Sequence, residues 1–362
     1  MLFAKQFAPG NTFEVYFKLF ACCLPVRGAQ RSVVCDLQRA SYDYIPNALQ
    51  SILEQDHLLS VGEVLNKYPT QHADTILGYF DFLVEKEYGF YTQQPELFPK
   101  MSLAYNHPKL ITNAILDIGA QSKYNVLRAI ALIELTGCEH LQVRSFVALT
   151  EGFFQELDQQ IKTSRFRSIE IITKHSPGLS EDFCRLLLQQ NPRISQIIVH
   201  SAPDEKQEFI YNEVSQCLIH ARAPIDSEAH CGYIHPALFS IHLSTFTEAQ
   251  QFNSCLNRKI AVDQFGNVKN CPSHAASYGA VDDQASLLPI AQQKRFQEIW
   301  GVSKDQINVC QDCEFRYICT DCRAYVEAGP LSKPAKCTYD PYAAAWQQPQ
   351  TTMANQSRLV PA

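Results

Sequence analysis

The chain has 362 residues, 46% of them apolar and 19% charged, with a net charge of −6 and a pI near 6.0. That length admits two or three domains with proper cores and excludes a disordered chain. The acidic balance gives no electrostatic footprint for nucleic acid, whose binders concentrate positive charge. No apolar run approaches the roughly 20 residues that span a bilayer, and the opening Met1 to Phe7 lacks a charged segment followed by an apolar one. No membrane partner and a cytoplasmic location are therefore expected. Fourteen cysteines without a secretion signal point to metal sites rather than disulfides, and eight of them lie between Cys231 and Cys337.

The first segment, residues 1–98, opens with two runs rich in β-branched and aromatic residues, Phe13 to Phe20 and Arg31 to Leu37. Pro25 and Gly28 between them suggest a hairpin. Three helical patterns follow: one after Pro46, one behind the capping box of Ser60 and Glu63, and one with Ile76, Leu77, Phe80, Leu83 and Val84 on one stripe. A short strand at Phe90 and Tyr91 closes a winged-helix pattern. Its third helix carries Asp74, Asp81, Glu85 and Glu87 against Lys86, which repels phosphates and leaves a peptide, added as a strand beside that helix, as the partner of such a module. A plain structural cap is the alternative. Cys22, Cys23 and Cys35 read as small core residues.

Residues 106–225 alternate regularly. Strand-like runs start at Ile111, His140, Ser168 and Ser195, 27 to 29 residues apart, with helical segments behind Ser122, Thr150 and Ser180. Alternation of this kind implies an α/β fold with a parallel sheet, here a partial barrel; a leucine-rich solenoid lacks its recurring Leu and Asn positions. Enzymatic barrels place chemistry in the loops after the strands. The loop after the first strand, Gly119 to Lys123, holds no Cys, Asp, Glu or His. Asp117, at that strand's end, serves either a site or the next turn.

Residues 226–345 hold the cysteine-rich part. Cys255 and Cys271 flank Ile260 to Val262 and Asn267 to Lys269, which in turn flank the turn Asp263 to Gly266; a hairpin there brings the two thiols together. Then come Cys310, Cys313, Cys319 and Cys322 within thirteen residues, and Cys337. Zinc knuckles are usually separated by roughly 12 to 20 residues, whereas five separate Cys313 from Cys319. Closely spaced thiolates suit an iron–sulfur cubane, in which each ligand takes a different iron. Zinc and a Cys-x-x-Cys redox pair are the other readings. Asp263, Arg316, Asp321 and Arg323 sit among these cysteines either as acid–base groups or as local ion pairs that fix the loop. Residues 346–362 are polar and aperiodic, a flexible tail.

The spacing Cys255-x10-Gly266-x4-Cys271, Cys310-x2-Cys313-x5-Cys319-x2-Cys322, then Cys337, resembles the SPASM domain of radical S-adenosylmethionine (SAM) peptide maturases. The last interval has two residues where the usual motif has three. The string from Cys310 to Tyr325, with Lys333 to Cys337 and Tyr339 to Tyr342, resembles more closely the SPASM peptide maturase of grasp-with-spasm systems, as do Phe17 to Val26 and Cys255 to Lys259. That resemblance implies a role in maturing a ribosomally synthesised peptide (RiPP), with a precursor peptide and an ATP-grasp ligase as partners and residues 1–98 as the recognition element. It also implies two 4Fe–4S clusters, one on Cys310, Cys313, Cys319 and Cys337, the other on Cys255, Cys271 and Cys322. Cys231 is the cysteine placed to be its further ligand. The family's Cys-x3-Cys-x2-Cys after the first barrel strand is missing, so no SAM cleavage is expected. An enzyme using its clusters for another peptide modification, and an adaptor with structural zinc, are the competing readings.

Overall fold

A computed structural model describes residues 14–211 and 215–347. The opening strand-like run therefore begins outside the described residues at Phe13, and most of the expected tail, residues 348–362, lies outside them as well.

The largest unit is an eight-stranded, mostly parallel sheet. Strands β6 (Asn113–Ile118), β7 (His140–Ser145), β8 (Ser168–Lys174) and β9 (Ile194–His200) run parallel in consecutive order. Helices α4 (Val126–Leu135), α5 (Glu151–Ile161) and α6 (Glu181–Gln190) connect them. Each helix starts where the side chain of Asn125, Thr150 or Ser180 accepts the backbone N–H three residues on, satisfying a donor the helix leaves open. The helices cover the face that presents Leu116, Val143, Ile171 and Ile197, all fully buried. The opposite face carries Asp117, Arg144, Glu170 and His200, as the two-residue period of a strand requires.

Two hairpins extend this sheet. Beyond β9 lie β10 (Lys206–Tyr211) and β11 (Ser215–Ala221), with β11 parallel to β9. Beyond β6 lie β12 (Lys259–Val262) and β13 (Val268–Lys269), with β12 parallel to β6. The hairpin from the cysteine-rich part therefore belongs to the same sheet as the strand–helix units, and Cys255 and Cys271 stand at its base.

The N-terminal residues form β1 (Tyr16–Leu19), β2 (Cys23–Arg27), β3 (Ser32–Asp36), β4 (Ser41–Ile45), α1 (Asn47–Gln55), α2 (Val61–Lys67), α3 (Ala73–Glu85) and β5 (Gly89–Thr92). The capping box at α2 is present in both directions. The expected hairpin is replaced by a different pairing. β1 pairs with β5, while β3 lies between β2 and β4. The stretch around Pro25, read as a turn, is itself an edge strand, where a residue without an N–H is tolerated.

This three-stranded sheet is buried on both faces. Val34, Cys23 and Ile45 pack against the helices, whereas Val26, Val33 and Cys35 share a core with Phe239, Phe246, Phe315, Ile318 and Cys319 of the cysteine-rich part. Arg31 crosses the junction to Glu314 at 2.9 Å, and Glu314 also accepts the Tyr339 hydroxyl. Trp346 falls within structure rather than a tail: Ala345–Trp346 pair with Tyr339–Asp340, and its ring lies 4.9 Å from that of Tyr339. Among the described residues, no helix is long and apolar enough to cross a membrane.

Candidate metal centre

All fourteen cysteines are free thiols. The eight between Cys231 and Cys337 fall into two groups by mutual electrostatic influence. Cys310, Cys313, Cys319 and Cys337 line one small cleft with Phe239, Phe315, Trp346 and Lys304. Burial is the main cause that raises these four thiols, taking Cys310 to about 12 and Cys319 to about 11, and neighbouring sulfurs add to the rise of Cys310, Cys313 and Cys319. The second group is Cys255, Cys271 and Cys322, each raised first by burial, with Cys231 acting on all three and Cys255 adding to the rise of Cys271 and Cys322. Cys319 and Cys322, three positions apart, thus face different groups.

Local backbone builds the second group. Gly266 adopts φ +84° in the turn, and an added Cβ would meet the Tyr124 Cβ and the near edge of its ring. Asp263 holds that turn by accepting the N–H groups of Phe265 and Asn267 and the Lys269 ammonium at 2.9 Å. Burial opposes its ionisation, but these partners bring its carboxyl below the usual range. Gly232 has φ +86°, and a Cβ there would come within 2.8 Å of the Cys322 sulfur. Only glycine lets the Cys231 backbone approach so closely. Lys336 fixes the same backbone by donating to the carbonyls of Ala229 and Cys231 while lying over the rings of Tyr325 and Tyr233.

Each group contains one lysine, the half-buried Lys259 and the buried Lys304, to which the sequence reading gave no role. Lys259 donates to the Cys255 sulfur at 3.5 Å, and Lys304 donates to the Cys319 carbonyl. Burial would lower both lysines, yet the surrounding sulfurs hold them above the ordinary value. A lysine opening a buried apolar strand, as Lys259 does before Ile260, Ala261 and Val262, is the signal that finds such a residue.

The donor set can be tested against the two metals. A tetrahedral zinc site with bonds near 2.3 Å needs sulfurs about 3.8 Å apart. Among the described residues, the single trio of metal-ligating atoms lying within 4.8 Å of one another is that of Cys22, Cys23 and Asp36. The Asp36 carboxylate is already engaged by Arg39 and by the N–H groups of Gln38 and Arg39. Neither cysteine quartet closes to single-ion spacing, and four thiols spread around an apolar cleft fit a larger cluster that takes one ligand per iron.

The charged residues near the cysteines are held locally. Asp321 pairs with Arg323 at 2.8 Å and accepts from Asn253, while Arg316 and Tyr317 both reach Asp305. Asp117, an open question from sequence, lies opposite Arg144 on β7 and receives two bonds of 2.8 Å from it. The loop after β6 is taken up by packing. Ser122 bonds to the Gln264 carbonyl and to the Gly119 N–H, and a Cβ on Gly119 would collide with the Gln264 side chain. Hence the turn at the cysteine-rich hairpin packs directly over the loop that follows β6.

No protein-family model and no curated protein matches the chain. Among solved structures, the crystal structure of Streptococcus suis SuiB bound to S-adenosylmethionine is similar to it at 10% identity and a TM-score of 0.32, covering 88% of this chain and 98% of that one. An overlap that loose carries no argument, so the mixed α/β fold and the sorting of the thiols rest on this chain's own geometry.

Proposed function

We propose that this chain is a radical SAM-like RiPP maturation protein that binds a ribosomal precursor peptide, works beside an ATP-grasp ligase, and carries two 4Fe–4S clusters in a SPASM-type region. The sorting of eight thiols into two quartets, each with its own lysine, supports this reading above all else. Cys310, Cys313, Cys319 and Cys337 would hold one cluster, and Cys231, Cys255, Cys271 and Cys322 the other. Such clusters supply electron transfer when bound.

The chain's own residues then have defined tasks. Lys259 and Lys304 offset the thiolate charge that burial penalises. Gly232 and Lys336 bring Cys231 to its group. β4, bonded among the described residues only to β3, offers an open edge to which an extended precursor adds, next to the end of α3 where Tyr88 and Lys86 meet Asp43. With Gly119 to Lys123 committed to the hairpin turn, radical initiation is not among these tasks, and bond formation on the precursor belongs to the ligase.

Anaerobically purified protein should be brown and hold about eight irons and eight sulfides per chain. Colourless protein containing zinc would overturn the cluster assignment. The isolated chain should bind precursor without changing its mass, and a mass change without the ligase would replace this reading with that of an enzyme.

A further inference from the structure

A cavity of about 460 Å³ lies between the N-terminal unit and the cysteine-rich part, on the side of the small sheet away from β4. It falls within the roughly 300–1,000 Å³ range of ligand sites. Phe17, Leu19, Leu53 and Phe80 wall it on one side, with Phe246 and Tyr317 on the other. Lys18, Lys100 and Arg27 also line it. Among the described residues, none of these three pairs with a carboxylate: Arg27 donates to the neutral groups of Gln50 and Ser51, and burial and then Lys100 lower the Lys18 ammonium. The lining acids are otherwise engaged, Asp56 by Lys67 and Tyr68, and Glu54 by Gln50.

The backbone decides which strand can receive a partner. Phe20 donates to the Tyr88 carbonyl and Lys18 lies opposite Phe90, so the outward groups of β1 fall on Phe17 and Leu19. Among the described residues, no backbone bond reaches them, although the next outward carbonyl, Val15, is taken by Val61. On β2 the outward positions are Cys23, Pro25 and Arg27, and each lacks one of the two backbone groups that a full ladder needs. The Cys23 N–H goes to Phe20, Pro25 has no N–H, and the Arg27 carbonyl accepts from Arg316. A short unpaired edge thus borders an apolar cavity beside unneutralised cations.

We propose that this cavity binds an acidic, apolar stretch of peptide, which pairs with Phe17 and Leu19, buries a large apolar side chain between Phe80 and Phe246, and sets carboxylates against Lys18 and Lys100. The inference rests on the peptide-maturation reading and adds a second anchor, separate from the β4 edge.

The test uses a fluorescein-labelled hexapeptide alternating glutamate with leucine and benzoyl-phenylalanine, and the same peptide with lysine for glutamate. Full-length protein should bind the glutamate probe, and photo-crosslinks should map to residues 17–20, 98–103 and 246–250. The double variant Lys18→Glu, Lys100→Glu should weaken binding about tenfold, the sum expected of two exposed charge contacts, with an unchanged circular dichroism spectrum. Equal binding of the lysine probe would overturn the proposal. So would binding that appears only after removal of residues 1–13, which would assign the cavity to the chain's own start. Crosslinks confined to residues 41–45 would overturn it while leaving the maturation reading intact. Protein without iron would sink that reading and leave the crosslink map unaffected.

Discussion

Replacing Gly232 with alanine tests the second thiol group at one atom. At φ +86° an alanine costs about 1–2 kcal/mol of backbone strain. The new methyl would also stand 2.8 Å from the Cys322 sulfur, so sulfur or backbone must give by several tenths of an ångström. Metal–ligand distances tolerate about 0.2 Å, so the cluster on that group should be lost and the other kept. Iron should fall from about eight to about four per chain, with the visible absorption roughly halved. Gly137→Ala separates strain from contact, because Gly137 has φ +83° and nothing within 4 Å of an added Cβ. That variant should pay the strain and keep its iron. If Gly232→Ala holds as much iron as Gly137→Ala, Cys231 and Cys322 do not share a cluster.

Two further outcomes follow from buried charge. Lys304→Met removes a cation from the Cys310 group and should drive the midpoint potential of that cluster lower, read by redox titration with paramagnetic resonance, while Lys259→Met shifts the other cluster alone. A single shared shift for both variants would refute the assignment of one lysine to each. Glu139 receives Lys109 at 3.0 Å and Arg167 at 2.9 Å, and although burial opposes its ionisation, these partners hold its pKa below the usual value. A depressed acid stabilises the fold above its unfolded pKa, about 4.3, and that stability is lost as pH falls through the lower folded value. Glu139→Gln should therefore cost about 1–3 kcal/mol in neutral denaturant melts, with the gap to the parent closing in acid. A gap independent of pH would refute the ionic origin.

What the sequence made legible was periodic. The four strand starts, the helices behind Thr150 and Ser180 and the capping box at Ser60 each follow from a local repeat or cap, and the structure has those elements. What it hid was pairing across long separations. β1 joins β5 some seventy positions later, β2 is masked by Pro25, and the β10–β11 hairpin is written in polar residues such as Lys206, Gln207 and Gln216. At the candidate centre, spacing drew attention to Cys310, Cys313, Cys319 and Cys322, yet gave no physical reason for Cys319 and Cys322 to part. That division comes from the fold of the loop between them, and the glycine after Cys231 was the overlooked sign of a close approach.

The junction between the two ends of the chain ties the N-terminal unit to the thiols. Residues 250–347 contain only short helices and strands, so little regular hydrogen bonding fixes the positions of Cys313 and Cys319. What surrounds them instead is the apolar core shared with Val26, Val33 and Cys35, closed by Arg31 on the fully buried Glu314 side chain. Phe315 and Ile318, both 1% exposed, lie between those two cysteines in the sequence and pack into that core. Removing the N-terminal unit would expose them and leave the Glu314 carboxylate without its cation, a penalty of the kind buried charges incur when a partner is lost. The N-terminal sheet is accordingly part of what shapes the Cys310 group, and on the proposed function a peptide seated on β1 or β4 would touch the unit whose core the sulfurs share.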